Sequence, residues 1–298
     1  MQPWSTFNAV ACRVIFKGYS LSERYLQEQG VSPQGTFPLQ KYALIPAIVW
    51  SAIFIRSKDI SYIIHSPQLL LFFIAIAVTW NIQQFISSYI SNSTSTISAR
   101  ETLSYLLLLP QLLLIGAVFN HDTPTIHGIV AIVILSLAFI LQPAHHQDNK
   151  RKRFALPLFL IMVLIVIQAS LDAINAGICR EALKSVSPEV FIGVFAITTM
   201  GLCWVWTAFL PKRSEDTQIL QKQRSLAAII PITWFAGTIP EIFAVAAIPI
   251  YTLFSIGAIT FAIDTASDVF HHRIRFNLRT ASFLGLVFIG IGLAAYST

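Results

Sequence analysis

Long apolar runs separated by short polar loops fill almost the whole chain. A run of about 20 apolar residues is long enough to cross the hydrocarbon core of a bilayer as a helix. In hydrocarbon, a helix satisfies its own backbone hydrogen bonds, so these runs are expected to be helical. The pattern predicts ten membrane-spanning helices, at 4–22, 42–55, 67–90, 97–118, 124–142, 154–178, 189–210, 226–247, 249–269 and 280–297.

The order of these runs repeats in the second part of the chain. The segment Gly30–Gln34 is answered by Ser185–Glu189, and both contain Val-Ser-Pro. Each Ser-Pro pair follows an apolar helix that polar residues interrupt. Each also precedes an apolar run that ends at tryptophan, Trp50 in one case and Trp204 and Trp206 in the other. Such internal similarity is typical of membrane proteins that are built from repeated halves.

The repeat divides the chain into two halves of five helices each. Residues 1–145 form the first predicted repeat, 146–153 a basic linker, and 154–298 the second repeat. With ten spans, the loops alternate between the two faces of the membrane. We therefore expect an all-α integral membrane protein of two inverted five-helix repeats.

Composition narrows the class further. Apolar residues make up 55% of the chain, charged residues only 11%, and the mean hydropathy is +0.68. A soluble domain carries about a quarter charged residues. The net charge of +6 lies in loops between helices, so we expect no nucleic-acid partner. No cleavable signal peptide is evident, and Cys12, Cys179 and Cys203 lack the spacing of metal ligands, so we interpret them as free packing thiols.

The loop charges also predict an orientation. Most of the 20 lysines and arginines lie on the face that carries the linker, including the run Lys150–Arg153. The positive-inside rule places that face in the cytoplasm and both chain ends outside. We expect a multi-pass protein of the cell membrane, the inner or plasma membrane, that acts as a monomer.

The two five-helix halves resemble the drug/metabolite transporter superfamily, specifically its ten-helix EamA-type members. The most similar stretch is Ser95–Leu141, where a helix containing Leu109-Pro110 leads through a polar turn to Gly128 and an apolar last helix. Residues 249–298 repeat this more loosely. The resemblance implies export of amino acids or related metabolites, with both chain ends in the cytoplasm. The glutamate that the family usually has in these turns is replaced by other residues here.

Polar side chains within the spans are the candidates for function, because such groups are costly in hydrocarbon and tend to face a cavity. Arg13 and Lys17 share one helix face at i and i+4, and the repeat places Gln168 and Asp172 at their counterpart positions. Asn175 extends the second face. The predicted substrate-binding set also includes residues of three other spans: Trp80, Gln84, Tyr105, Trp234 and Glu241.

These residues suggest a cavity near the middle of the bilayer. Arg13 and Lys17 would bind an anionic group, and Asp172 and Glu241 would bind a cationic group or carry a proton. Trp80 and Trp234 would form aromatic walls. Two alternatives stay open: Lys17 and Asp172 simply pair with each other, or Arg13 extends to the membrane surface.

The favoured function is therefore secondary transport of amino acids or similar zwitterions by alternating access, with proton coupling as an option. A transporter or exchanger of organic cations or nucleotide-type metabolites is the first alternative. Asp264 and Asp268 form a DxxxD pair of the kind that membrane prenyltransferases use, so an enzyme is a second alternative, and a membrane scaffold or channel a third. The expected partners are a small molecule and the lipid bilayer, and we expect no enzymatic activity, cofactor or metal.

Overall fold

The computed structural model describes residues 3–93, 97–142, 158–210, 213–270 and 275–296; the linker 146–153 lies outside these ranges. In the described residues every regular element is helical, which confirms the predicted all-α class. A 3-10 helix covers Phe37–Ala43. The α-helices, numbered in chain order, are α1 Pro3–Glu28, α2 Pro33–Thr36, α3 Leu44–Phe54, α4 Ser57–His65, α5 Pro67–Ser93, α6 Ile97–Val118, α7 Ile126–Leu141, α8 Leu158–Ala182, α9 Pro188–Ala208, α10 Ser214–Lys222, α11 Arg224–Ala247, α12 Ile250–Gly257, α13 Ile259–Phe270 and α14 Leu278–Tyr296.

Six helical segments of the described chain are long and apolar enough to cross a membrane, so the chain is a membrane protein. Three shorter apolar helices accompany them, at Leu103–Val118, Ile126–Leu141 and Ile250–Ile263. The six candidate spans are Phe37–Phe54, Pro67–Ile90, Phe159–Ala182, Pro188–Ala208, Arg224–Ala247 and Leu278–Tyr296.

The structure differs from the sequence prediction at three places. The first predicted span, 4–22, lies within α1, which continues to Glu28 and whose polar residues keep it out of the six apolar spans. The predicted span 249–269 is two helices, α12 and α13, with a break at Ala258. The loops predicted at 23–41 and 211–225 contain α2, the start of the 3-10 helix, and α10.

Helices of the first half pack mainly on helices of the second half. The most extensive contacts join α1 to α11, α7 to α14, α5 to α8, α6 to α8, and both α3 and α5 to α9. Small residues allow close approach at two of these contacts. A Cβ at Gly237 of α11 would lie 3.1 Å from the Phe16 ring of α1, and one at Gly290 of α14 would lie 2.6 Å from Leu135 of α7.

The first helices of the two halves run in opposite directions. Near the end of α5, Ser88 donates a 2.9 Å hydrogen bond to Glu23, close to the end of α1. Also near the end of α5, Ile90 packs against Ile161, close to the start of α8. The end of α1 and the start of α8 therefore lie at one end of the bundle, the Glu23 end. The opposite end, where α8 finishes, is called the Arg180 end.

The two Ser-Pro pairs lie at these opposite ends. At the Glu23 end, the backbone N–H of Ser32 donates to Asp216 Oδ1 of α10 at 2.8 Å, and its hydroxyl donates to Oδ2 at 2.5 Å. At the Arg180 end, Pro188 begins α9, and the indole of Trp50 donates to the carbonyl of Glu189 at 2.9 Å. Each turn is thus anchored to the other half of the chain.

Candidate functional site

A cavity of about 320 Å³ lies inside the bundle, between α1, α5, α6, α8, α11 and the α12–α13 segment. Its size falls at the lower end of the range for small-molecule sites. The ten residues predicted from the sequence to bind substrate all line it, from five different helices: Arg13, Lys17, Trp80, Gln84, Tyr105, Gln168, Asp172, Asn175, Trp234 and Glu241.

Opposite charges meet in this cavity between α1 and α11. Arg13 Nη2 lies 3.5 Å from Glu241 Oε1, and the guanidinium carbon lies 4.4 Å from the centre of the Phe254 ring. Asp172 and Tyr105 also interact electrostatically with Arg13. The groups expected to bind the anionic and cationic parts of a substrate are therefore neighbours.

The guanidinium of Arg13 is buried with hydrogen-bonding capacity left over. Its side chain is 12% exposed, so it does not extend to the membrane surface. Within the described part of the chain, its Nε and Nη2 atoms have no hydrogen-bond acceptor. Adjacent N–H groups of a guanidinium form the edge that binds a carboxylate in a bidentate manner. Arg13 thus presents an unused binding edge beside Glu241.

A glycine creates the space that Arg13 occupies. A Cβ at Gly257, the last residue of α12, would lie 3.0 Å from both Arg13 Nε and the Tyr105 hydroxyl. That distance is shorter than ordinary contact, so a side chain here would push the guanidinium away. The break between α12 and α13 directly follows this glycine.

Aromatic rings form one wall of the cavity. The rings of Trp80 on α5 and Trp234 on α11 meet edge to face, with centroids 5.0 Å apart. The ring centroid of Phe195 lies 6.0 Å from that of Trp234. Tyr105 and Phe261 form a second edge-to-face pair at 4.8 Å. Such walls suit an apolar or aromatic portion of a ligand.

The polar face of α8 also borders the cavity. Gln168, Asp172 and Asn175 all line it, as their spacing of four and three residues predicts. The hydroxyl of Thr79 on α5 donates to Asn175 Oδ1 and fixes this side chain. Lys17 of α1 lines the same cavity.

Further polar residues continue towards the Glu23 end. Gln40 of the 3-10 helix donates through Nε2 to the hydroxyl of Tyr19 and, at 3.5 Å, to Gln84 Oε1. Tyr19 in turn donates to Gln84 at 3.5 Å. This network sets the position of Gln84, one of the predicted site residues.

Glu23 is a cavity residue that the sequence analysis missed. It is 9% exposed, and its Oε1 accepts hydrogen bonds from Ser88 at 2.9 Å, Thr36 at 3.2 Å and Gln27 at 3.5 Å. The signal was its helical register, since positions 13, 17, 20, 23 and 27 follow one face of α1. The predicted span ended at residue 22, which left Glu23 in a loop.

Arg180 and Asp122 were also missed, because both were assigned to loops outside the spans. Arg180 Nε and Nη2 donate to Asp122 Oδ1 at 3.2 and 2.9 Å. Its Nη1 donates to the carbonyls of Val245 and Ile248 at 2.7 and 2.6 Å, at the end of α11. Cys179 and Val245 line the cavity, so this cluster lies directly at its Arg180 end.

Three cysteines and one aspartate pair complete the sequence candidates. Cys12, Cys179 and Cys203 are free and buried, as expected of packing thiols. Asp264 and Asp268 belong to α13, but their side chains lie outside the described part of the structure. The DxxxD pair of the prenyltransferase alternative therefore stays a prediction.

Comparison with known proteins shows a shared fold. No protein-family model and no curated protein match the chain. In solved structures, 23 chains match. One, described as "Crystal structure of protein", has a TM-score of 0.65 and covers 98% of this chain and 95% of its own. The two sequences are 12% identical, so the likeness shows the fold of essentially the whole chain and says nothing of its activity.

Proposed function

We propose that the protein is a secondary transporter of small zwitterionic metabolites, amino acids foremost. The observation that carries this proposal is the cavity that holds both signs of charge, with the unused guanidinium edge of Arg13 next to Glu241. Buried ionisable groups in a membrane protein are costly and are retained where they bind a solute or a proton. A soluble or purely structural bundle has no need of such a cavity.

The helix contacts support two related halves. If α1, α3, α5, α6 and α7 correspond to α8, α9, α11, α12–α13 and α14, the contact of α1 with α11 corresponds to that of α8 with α5. The contacts α3–α9, α6–α12 and α7–α14 each correspond to themselves. This is the pattern that a two-fold axis between the halves produces. The opposite directions of α1 and α8 agree with inversion of the halves.

On this basis we propose ten spans and membership of the drug/metabolite transporter superfamily, EamA type. The four spans beyond the six apolar ones would be α1, α6, α7 and the α12–α13 segment. α1 would tolerate its charges because its polar face lines the cavity, where Arg13 meets Glu241 of α11.

Substrate binding follows from the charges. The carboxylate of an amino acid would take the Nε and Nη2 edge of Arg13 and draw it away from Glu241. The ammonium group would then bind Asp172 and the released Glu241, while Trp80 and Trp234 contact the side chain. Rocking of the halves about this site would expose it to each side in turn.

Counterflow into proteoliposomes tests the proposal. Vesicles loaded with unlabelled amino acid should take up the labelled one saturably, and Arg13→Gln should lower the apparent affinity by tenfold or more, the effect of one lost charged hydrogen bond. Asp172→Asn should weaken amino acids more than their carboxylate-only analogues. Lys184→Gln, at an exposed position outside the cavity, is the matched control and should transport normally.

Two outcomes would overturn the proposal. Counterflow restricted to organic cations or nucleotides would replace the zwitterion as substrate. Absence of flux for every solute, from protein shown to be folded by its thermal unfolding, would remove the transporter function itself. Uptake that depends on an imposed pH gradient would show proton coupling, for which Asp172 and Glu241 are the candidate carriers.

A further inference from the structure

We propose that Arg180 and Asp122 form a gate that closes the cavity at the Arg180 end and must open once in each transport cycle. The inference rests on the proposed transport function, but it concerns residues outside the substrate site. Its evidence is the position, the connectivity and the exchangeable chemistry of the cluster.

The cluster lies at the Arg180 end of the cavity, where a gate would close it. Cys179 and Val245 line the cavity. Arg180 is the next residue of α8 after Cys179, and it binds the carbonyl of Val245 at 2.7 Å. A solute that leaves the cavity at this end would therefore meet the guanidinium first.

The cluster ties together three separate segments of the chain. Arg180 belongs to α8, Asp122 to the turn between α6 and α7, and the two carbonyls to the end of α11. The turn is itself held to α8, since Asn120 Nδ2 donates to the carbonyl of Gly177 at 2.9 Å. Separation of α8 from α11, which an opening at this end requires, must break the hydrogen bonds of Arg180.

The chemistry of the cluster allows it to open. Its side chains are only 18% and 11% exposed, yet they lie at the end of the bundle, where water can replace each lost partner. Asp122 Oδ2 is buried and has no hydrogen-bond donor within the described residues, so the closed state is incompletely satisfied. Apolar side chains that separate on opening would gain no such compensation from water. Hydrogen-bonded charges at this end thus make a closure that can be reversed.

A related contact occurs at the other end of the bundle. Arg180 and Val245 are 65 residues apart in the chain, and so are Glu23 and Ser88, which join the ends of α1 and α5. Under the proposed correspondence of the halves, these are the same helix pair in each half. The bundle therefore has a fastening at each end of the cavity, as alternating access requires.

Thiol labelling tests the gate without any substrate. In a background of Cys12→Ala and Cys203→Ala, the remaining Cys179 lies behind the cluster. Sealed vesicles of both orientations would be treated with a membrane-impermeant maleimide, and a separate Lys184→Cys variant identifies the vesicles that expose the Arg180 end. Loss of a charged hydrogen bond shifts an opening equilibrium about tenfold, so Arg180→Gln should raise the labelling rate from this end about tenfold or more.

Three further variants complete the experiment. Asp122→Asn should give the same change more weakly, because the two carbonyl contacts of Arg180 remain, and it serves if Arg180→Gln fails to fold. The exchange Arg180→Asp with Asp122→Arg restores the ion pair but not the two carbonyl contacts, so it should slow labelling only in part relative to Arg180→Gln. Glu181→Gln removes the exposed ion pair with Lys184 on the same face, leaves the contact of Lys184 with the Asn120 carbonyl in place, and should change nothing.

Equal labelling of Cys179 in the parent and both single variants would overturn the gate. Because labelling needs no solute, faster labelling in a protein without counterflow would support the gate and reject the proposed substrate. Normal counterflow with unchanged labelling would do the opposite.

Discussion

Two buried arginines on different helices, Arg13 and Arg180, differ in how their guanidinium groups are bonded. Arg180 uses its Nε and Nη2 edge on Asp122 and its Nη1 on two carbonyls, so each nitrogen donates a hydrogen bond. The corresponding edge of Arg13 has no acceptor in the described structure, and its neighbour Glu241 lies at 3.5 Å. One arginine completes a local structure; the other keeps two buried N–H groups without an acceptor, and under the proposed function a substrate carboxylate would supply it.

The difference matters because a guanidinium in a membrane protein is expensive to bury. At Arg180, hydrogen bonds from every guanidinium nitrogen offset the free-energy cost of burying the charge. Unsatisfied donors add to it, so under the proposed function the cost at Arg13 would be offset when a substrate carboxylate binds these donors. The two sites should therefore respond in opposite ways to the same substitution.

The largest expected effect is that lysine substitution lowers substrate affinity at Arg13 but folding stability at Arg180. Arg13→Lys keeps the charge and removes the two-pronged edge, so substrate affinity should fall about tenfold to a hundredfold. The thermal unfolding midpoint in detergent should hardly change, because no hydrogen bond is lost. Binding is measured by counterflow inhibition and stability by thermal unfolding of the same preparations.

Arg180→Lys should show the reverse. Lysine cannot keep both the carboxylate and the two carbonyl contacts, so folding should be destabilised by about 2 kcal/mol, while the intrinsic affinity of the cavity stays the same. Equal losses of affinity in both variants would mean that the two arginines belong to one site. Equal losses of stability would mean that Arg13 is a structural residue.

A smaller effect is expected where the cavity makes room for Arg13. Gly257→Ala places a methyl group 3.0 Å from Arg13 Nε and the Tyr105 hydroxyl, so the guanidinium must shift by a few tenths of an ångström. Misplacement on this scale weakens a charged contact without abolishing it, and we expect a several-fold loss of affinity. Counterflow inhibition by unlabelled substrate measures it.

The control is a glycine with free space around it. No atom lies within 4 Å of a Cβ at Gly285 of α14, so Gly285→Ala should leave affinity unchanged. Labelling of Cys179 should be normal in both variants. A wild-type affinity in Gly257→Ala would show that the position of Arg13 is not set from this side.

The helical pattern predicted the cavity lining well because a helix face can be calculated from spacing alone. Arg13 and Lys17, and likewise Gln168, Asp172 and Asn175, share faces at intervals of three and four residues. Polar residues in apolar helices avoid lipid, so their faces converge inside the bundle. That these residues meet in one cavity follows from this rule; that they bind a substrate stays a prediction.

Contacts between helices could not be calculated in this way. The neighbour relation of Arg13 and Glu241 depends on how α1 packs on α11, which no spacing specifies. The Arg180 cluster uses backbone carbonyls, which any residue supplies and which leave no trace in a sequence. Glu23 was missed since a charged residue near the end of an apolar run looks like the start of a loop.

The smallest expected effect comes from the fastening at the Glu23 end. Glu23 Oε1 accepts from Ser88, Thr36 and Gln27. The amide oxygen of Glu23→Gln can keep these neutral donors, each of which contributes about 1 kcal/mol. We therefore expect less than about a threefold change in the labelling of Cys179 from the Glu23 end. Arg180→Gln should change labelling from the other end about tenfold, because that substitution loses charged hydrogen bonds. A change as large as that of Arg180→Gln would make the negative charge of Glu23, rather than its hydrogen bonds, the element that fastens this end, and the two ends would then be equivalent.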